Sequence, residues 1–176
     1  MKKTLLVISL FAASSAFAAD DTYAEISHMG LKYSEPGISA KPTAIKGIMG
    51  WKQSDGLAYE ALVALGGSDG NFRYGVVNGA VGVNSMIGFF TKASTKLAEG
   101  TELFARVGIV STKIDQSASA GSYRLSQNTT GGDLAYGVGL KYSFSKDYAL
   151  VVDYTNYYNK GDIKIQGLGV GVSFNY

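Results

Sequence analysis

Leu168-Gly-Val-Gly-Val-Ser-Phe-Asn-Tyr176 is the last stretch of the chain, and it alternates between two kinds of side chain. Leucine, valine, phenylalanine and tyrosine fill every second position, and glycine, serine and asparagine fill the positions between them. Because successive side chains of a β-strand point to opposite faces, the stretch predicts a strand with one apolar face and one small, polar face. A chain that ends on such a strand is typical of a barrel that closes its last strand on its first, with lipid outside.

The N-terminus carries the pattern of a secretory signal peptide. A basic start and an apolar core precede the small-x-small site Ala16-Phe-Ala18. The pattern predicts a cleaved segment 1–18 and a barrel domain 19–176, with cleavage after Ala19 as the alternative. The apolar core is too short to span a membrane, and no other run approaches the roughly 20 apolar residues that a spanning helix needs.

Composition excludes several classes of partner. Loss of Lys2 and Lys3 would lower the basic count from 16 to 14, which equals the 14 acidic residues. A neutral mature chain gives no reason to expect nucleic acid as a partner. The chain has no cysteine, so disulfides and zinc–thiolate sites are excluded.

Period-two alternation divides the mature chain into eight segments. The fourth is the least regular, because Met86 and Phe90 interrupt the face opposite Ile87 and Phe89 and leave its register open. The segments are about 23–33, 43–53, 57–65, 80–93, 102–109, 133–144, 150–157 and 163–176. Eight is an even number, and strands of about 10 residues suit a membrane barrel.

The links between these segments alternate in length. Short links follow the second, fourth and sixth segments, whereas residues 34–42, 66–79 and 112–132 are long and polar. An outer-membrane barrel has this asymmetry, with short periplasmic turns and longer outer loops. The sequence therefore predicts an all-β, eight-stranded antiparallel up-and-down transmembrane barrel.

The small, polar faces predict the side of the wall that points inward. They mix glycines with charged residues, which fit the narrow interior of an eight-stranded barrel better than the surface of a soluble lipocalin-like barrel. On the first segment this rule sends Met29, Leu31 and Tyr33 to lipid and His28 to the lumen; Glu25 then misfits the lipid face. The charged residues predicted to pair across the lumen are Lys32, Lys46, Glu60, Arg106, Lys141 and Asp153.

The chain resembles the small outer-membrane β-barrel family that includes opacity-type proteins and the OmpX/Ail and OmpA transmembrane domains. The resemblance rests on Leu103-Phe-Ala-Arg-Val-Gly108, Ala135-Tyr-Gly-Val-Gly-Leu-Lys-Tyr142, Leu150-Val-Val-Asp-Tyr-Thr155 and the aromatic-ended last strand. It covers the mature chain and implies an outer-membrane location. The family hosts adhesins, serum-resistance factors and proteins without an assigned role.

The sequence offers little catalytic or ligating chemistry. His28 is the single histidine, so a Ser-His-acid arrangement would have to use it. Asp69 and Asn71 lie in a turn without a metal-loop repeat, and the glycine pairs lack the Lys-Ser/Thr of a phosphate loop. We therefore predict no enzymatic activity, no catalytic residue, no metal and no cofactor.

The outer loops are the predicted functional surface. Loop 66–79 carries Phe72, Arg73 and Tyr74, and loop 112–132 carries Tyr123 and Arg124, the residue types that anchor interfaces. The leading prediction is a monomeric structural or surface-contact protein with a plugged lumen, whose partners are outer-membrane lipid and a host or cell-surface ligand. A small-solute or ion porin is the alternative, followed by a lipid-modifying enzyme of the outer membrane.

Overall fold

The computed structural model describes residues 21–75, 77–120 and 123–175; the side chains of residues 120, 123 and 124 and the predicted signal peptide lie outside this description. Nearly all of the described chain is β-strand. Within these residues no helix has the length and apolarity that crossing a membrane requires. The strands are β1 (Thr22–Glu35), β2 (Ile38–Ala40), β3 (Thr43–Ser54), β4 (Leu57–Gly66), β5 (Gly70–Tyr74), β6 (Val77–Ala98), β7 (Thr101–Ala120), β8 (Tyr123–Ser143), β9 (Tyr148–Lys160) and β10 (Ile163–Asn175).

Eight of these strands form a closed antiparallel ring. Each barrel strand pairs with its neighbour in the chain, in the order β1, β3, β4, β6, β7, β8, β9 and β10. The ring closes where β1 pairs with β10, from Tyr23 opposite Asn175 to Ser34 opposite Lys164. The two short strands lie off the ring, β2 against β1 and β5 against β6. The predicted eight-stranded up-and-down barrel is confirmed.

Tight turns join the strands at the end of the barrel where β1 begins. The links from β3 to β4 and from β6 to β7 are two residues long and end in Gly56 and Gly100. Both glycines have positive φ, 80° and 72°, a conformation that other residues adopt at a cost.

The opposite end is built from longer strands, which corrects the predicted loops. β6, β7 and β8 contain 22, 20 and 21 residues, against 10 to 14 in the other barrel strands. Most of loop 112–132 is a regular hairpin, paired from Thr112 opposite Gly131 to Ala120 opposite Tyr123. Loop 66–79 contains β5. Polar residues on both faces remove the alternation that predicts a strand, yet the backbone ladder still forms.

The outward-facing positions of the barrel form an apolar wall. Ile87 and Phe89 point outward, while Met86 and Phe90 are buried inside, and a register shift between Val83 and Ser85 places Val83 inside as well. This bulge explains why the fourth segment has no single parity. Exposed apolar side chains of the wall include Leu103, Val107, Ile109, Leu134, Tyr136, Val138, Leu140, Leu150, Val152, Tyr154, Leu168 and Val170.

The predicted orientation of β1 is wrong. Met29, Leu31 and Tyr33 are at most 2% exposed and point into the barrel. His28 and Lys32 are exposed on the outer surface instead. The prediction assumed a polar interior along the whole strand, but the interior around this part of β1 is apolar.

Candidate functional site

An ion pair crosses the lumen between β3 and β9. The Lys46 Nζ atom lies 2.5 Å from the Asp153 Oδ1 atom, and both side chains are at most 1% exposed. Thr155 donates a hydrogen bond of 3.0 Å to the other oxygen of Asp153. A buried pair with its remaining lone pairs satisfied avoids most of the desolvation cost that an isolated charge would carry.

A second cluster places one cation between two carboxylates. The guanidinium of Arg106 on β7 lies 3.5 Å from Glu25 on β1 and 3.4 Å from Glu60 on β4. Tyr23 donates a hydrogen bond of 2.6 Å to the Oε1 atom of Glu60. The cluster ties together strands from opposite sides of the ring, so removing its single cation would leave two buried carboxylates without their partner.

Two lysines complete the polar region toward the short-turn end. Lys92 on β6 lies over the rings of Tyr23 and Phe104, at 4.9 and 4.5 Å from the ring centroids. Its ammonium is 3.7 Å from Glu102. Lys141 on β8 lies 5.3 Å from the Tyr23 centroid and donates to Asn175 at 3.2 Å. Tyr23 therefore contacts both lysines with its ring and the Arg106 cluster with its hydroxyl.

The structure places five of the six predicted lumen charges inside the barrel, namely Lys46, Glu60, Arg106, Lys141 and Asp153. Lys32 is the exception, because it lies on the outer face of β1 opposite Gln166. Glu25 and Lys92 are lumen charges that the prediction missed. The misfit of Glu25 on a supposed lipid face was the available signal. Lys92 shares its face with Met86 and Phe90, and these apolar residues do not match a small, polar lumen face.

The half of the interior toward the long hairpins is apolar. A cluster of seventeen buried residues is centred there, with Met29, Leu31 and Met86 among its members. Its edge reaches the ion clusters, since Ile48 pairs with Glu25 and Phe90 with Glu60. Two tyrosine hydroxyls in the cluster have partners: Tyr157 donates to the sulfur of Met29 at 3.1 Å, and Tyr33 donates to Glu35 at 2.7 Å. We call the charged part of the interior, toward the short turns, the polar half, and the part toward the long hairpins the apolar half.

The predicted contact residues of the outer region divide into two groups. Phe72 packs partly buried against the apolar half, whereas Arg73 and Tyr74 are exposed. Tyr123 and Arg124 begin β8, opposite Ala120 and Ser119, and their side chains lie outside the described residues. Leu125, the next residue of β8, is 76% exposed.

No catalytic or metal constellation is present among the described residues. His28 lies on the outer wall between Ile45 and Val170, its cross-strand partners, and not in the lumen as predicted. The described part of the chain contains no group of three or more His, Asp or Glu side chains that could hold a metal ion.

The profile of the outer membrane protein β-barrel domain family matches residues 4–175. The chain belongs to this family. Membership supports the outer-membrane location, and the general arrangement of such barrels puts the short turns in the periplasm and the long hairpins outside.

Solved structures show the same fold at low sequence identity. Ail, the attachment invasion locus protein of Yersinia pestis, is 14% identical with a TM-score of 0.64, over 90% of this chain and 100% of its own. Neisserial surface protein A is 16% identical with a TM-score of 0.62, over 88% and 97%. OprG from Pseudomonas aeruginosa is 9% identical with a TM-score of 0.58, over 89% and 96%. No curated protein matches the chain in sequence.

Proposed function

We propose that this protein is a monomeric, plugged outer-membrane scaffold that makes surface contacts through its long hairpins and acts by binding. One observation carries the proposal: residues 123–135 of β8 pair with β7 alone, because pairing with β9 begins only at Tyr136 opposite Asn156. The hairpin thus continues as a sheet beyond the closed ring, and its residues 125–130 are exposed. A rigid, polar projection presents a contact surface at lower ordering cost than a disordered loop.

A sulfated sugar is the first ligand to test. Ail from Yersinia pestis has been crystallised with the heparin analogue sucrose octasulfate. The present chain exposes Arg73 and Lys113 in its outer region, which can pair with sulfate groups. Intact cells that express the protein should therefore bind heparin-coated surfaces.

The hairpin can be shortened without disturbing the barrel. Ser117 pairs with Ser126, so replacing residues 118–125 by Asn-Gly leaves that pair closed by a two-residue turn. The change keeps the hydrogen bond of 2.8 Å from Gln116 to Tyr33. We expect a normally folded barrel in the outer membrane that has lost the contacts made through residues 118–125. The shortened chain keeps Arg73 and Lys113, so the double variant Arg73→Ala with Lys113→Ala tests the sulfate contacts and should lower heparin binding. Lys146→Ala in a periplasmic turn is the control. Unchanged binding by the shortened protein would contradict the proposal that the β7–β8 hairpin makes the surface contact.

The plugged lumen is the second part of the proposal. Phe104, Leu62 and Ile48 are at most 2% exposed and share the interior with the ion pairs, which leaves little room for a hydrated path. The pore alternative is favoured by polar atoms without a partner in the described structure, such as Glu25 Oε1 and Arg106 Nη1, which water could satisfy. We expect no steady conductance in planar bilayers. Ion-selective currents that change on replacing Glu25 would establish the pore instead.

We also propose that export uses the predicted signal peptide 1–18. Sequencing the N-terminus of protein purified from outer membranes should give Ala19, or Asp20 if cleavage follows Ala19. An N-terminus that still contains the apolar core would contradict this part.

A further inference from the structure

A basic cavity of about 570 Å³ opens at the short-turn end of the barrel, opposite the long hairpins. The turn from β3 to β4 forms one side, and the first residues of β7 and the last of β6 form the other. The charged residues that line it are Lys52, Lys92, Lys96, Lys141, Asp55 and Glu102. Four lysines against two carboxylates give the lining a formal charge of +2.

Two of these lysines are fixed in place rather than solvated at the surface. Lys92 is 4% exposed and Lys141 is 6% exposed. Both ammonium groups lie over the ring of Tyr23. The carboxylate of Glu102, which is partly exposed, is 3.7 Å from the ammonium of Lys92. Glu102 is also the cross-strand partner of Lys141 and of Lys96. Glu102 is thus shared by three lysines, and with Asp55 it leaves the lining at a formal charge of +2. The adjoining Arg106 cluster has one cation and two carboxylates, a formal charge of −1, so the two groups together keep an excess of one positive charge that favours an anion.

We propose that this cavity binds a phosphate group, as a free phosphate or as the headgroup of a phospholipid from the inner leaflet. Convergent ammonium groups bind phosphate as point charges. Free phosphate can carry two negative charges and a lipid phosphodiester carries one, and both are attracted by the positively charged lining. The volume exceeds that of one phosphate, and Tyr23, Leu57 and Ala58 supply an apolar side for an organic substituent.

The cavity is linked to the polar half through Tyr23. Its ring lies beneath Lys92 and Lys141, and its hydroxyl donates to Glu60, which pairs with Arg106. By mass action, a phosphate on the two lysines stabilises the folded barrel in which Tyr23 occupies this position.

The test uses the full mature protein refolded in maltoside micelles, which contain no phosphate. Inorganic phosphate is titrated in one arm and dihexanoylphosphatidylglycerol in the other, with binding followed by calorimetry and ³¹P line broadening. Binding of inorganic phosphate identifies a soluble source, and binding of the lipid alone identifies a headgroup. Absence of binding in both arms at millimolar concentrations overturns the proposal.

Charge-removing variants locate the site. Lys92→Met should weaken binding by at least about tenfold, since it removes a charged donor but keeps the stem. Lys96→Met and Lys52→Met at the exposed rim should weaken it less, and they serve as the decisive variants if Lys92→Met does not fold. Lys113→Met, on the outer hairpin, is the matched control and should bind as the unmutated protein does. Equal affinity in all four variants would show that the anion binds elsewhere and would overturn the assignment.

Discussion

The two halves of the lumen are filled by opposite means. The polar half holds two ion clusters, Lys46 with Asp153 and Arg106 with Glu25 and Glu60. The apolar half holds a packed cluster of side chains such as Met29, Leu31 and Met86, with hydroxyls in place of charges. Buried charges fix distances and orientations because each needs its partner, whereas apolar packing excludes water and tolerates small shifts. We infer that the polar half sets the register of the ring and that the apolar half excludes water from the lumen.

Replacement of Arg106 by Met should have the largest effect. The change leaves Glu25 and Glu60 buried without their cation, so we expect a loss of about 3–5 kcal/mol in the free energy of unfolding. Urea titration of the barrel refolded in lipid vesicles measures this. The triple variant with Glu25→Gln and Glu60→Gln should recover most of the loss. A mild effect of Arg106→Met alone would mean that water already solvates the cluster.

β8 and β1 show how far alternation can predict such a barrel. On residues 133–143, the part of β8 within the ring, the inward positions are small or charged and the outward positions are apolar, so one pattern suffices to orient this part. β1 passes through both halves of the lumen, from Glu25 in the polar half to Leu31 in the apolar half. Its inward row changes character along its length, and no rule based on hydrophobicity alone can orient it. The charge at Glu25 gives the correct parity, but the charge at Lys32, on the outer face, gives the opposite one, so charge alone does not orient the strand either.

Leu140→Arg tests the outer wall at the residue next to a lumen cation. Lys141 points inward, where Asn175 accepts its hydrogen bond, whereas Leu140 points outward and is 47% exposed on the apolar wall. An arginine facing lipid costs about 2–4 kcal/mol in unfolding free energy at the bilayer midplane and less toward the interfaces. Because Leu140 pairs with Leu103, close to the short turns, we expect a loss at the lower end of this range, about 2 kcal/mol. Leu125→Arg on the same strand, beyond the ring, is the matched control and should be nearly neutral. Similar losses in both variants would contradict the assignment of the wall.

The sequence does not reveal how much space lies next to an inward-facing glycine of the barrel. A Cβ atom built on Gly139 would lie 2.4 Å from the ring of Phe104 and 2.6 Å from the carbonyl oxygen of Val152. The inward face of this residue is therefore occupied by a neighbour and not by open lumen, so Gly139→Ser should destabilise the barrel although serine is small and polar. Sequence alternation assigns the residue to the inside, but it cannot reveal that a side chain from another strand fills the space.

The hairpin and the cavity mark the limit of prediction from sequence for the same reason. The outer part of β7 and β8 lacks alternation because both of its faces are polar, and it is a sheet because the two arms of the hairpin pair along their whole length. Lys52, Lys92, Lys96 and Lys141 come from three strands and meet only through the register of the ring. Neither feature has a local signature.

Tyr23→Phe removes one hydroxyl from the polar half. It deletes the 2.6 Å hydrogen bond to Glu60 and keeps the ring beneath Lys92 and Lys141. Because the acceptor is a buried carboxylate, we expect a loss of about 1.5–3 kcal/mol in unfolding free energy. Urea titration in vesicles gives the value, and the addition of Glu60→Gln should reduce it. A variant as stable as the unmutated protein would show that Glu60 has an alternative donor.

Tyr157→Phe is the same substitution in the apolar half and should have the smallest effect. The hydroxyl of Tyr157 donates to the sulfur of Met29 at 3.1 Å, and a thioether is a weak acceptor. The ring remains packed, so we expect a loss of less than about 1 kcal/mol. The two variants are measured in the same vesicles. The difference between their losses in unfolding free energy shows how much more a hydrogen bond to a charged acceptor contributes than one to an uncharged acceptor. If Tyr157→Phe cost as much as Tyr23→Phe, the apolar half would depend on specific polar contacts too, and packing alone would not account for the exclusion of water.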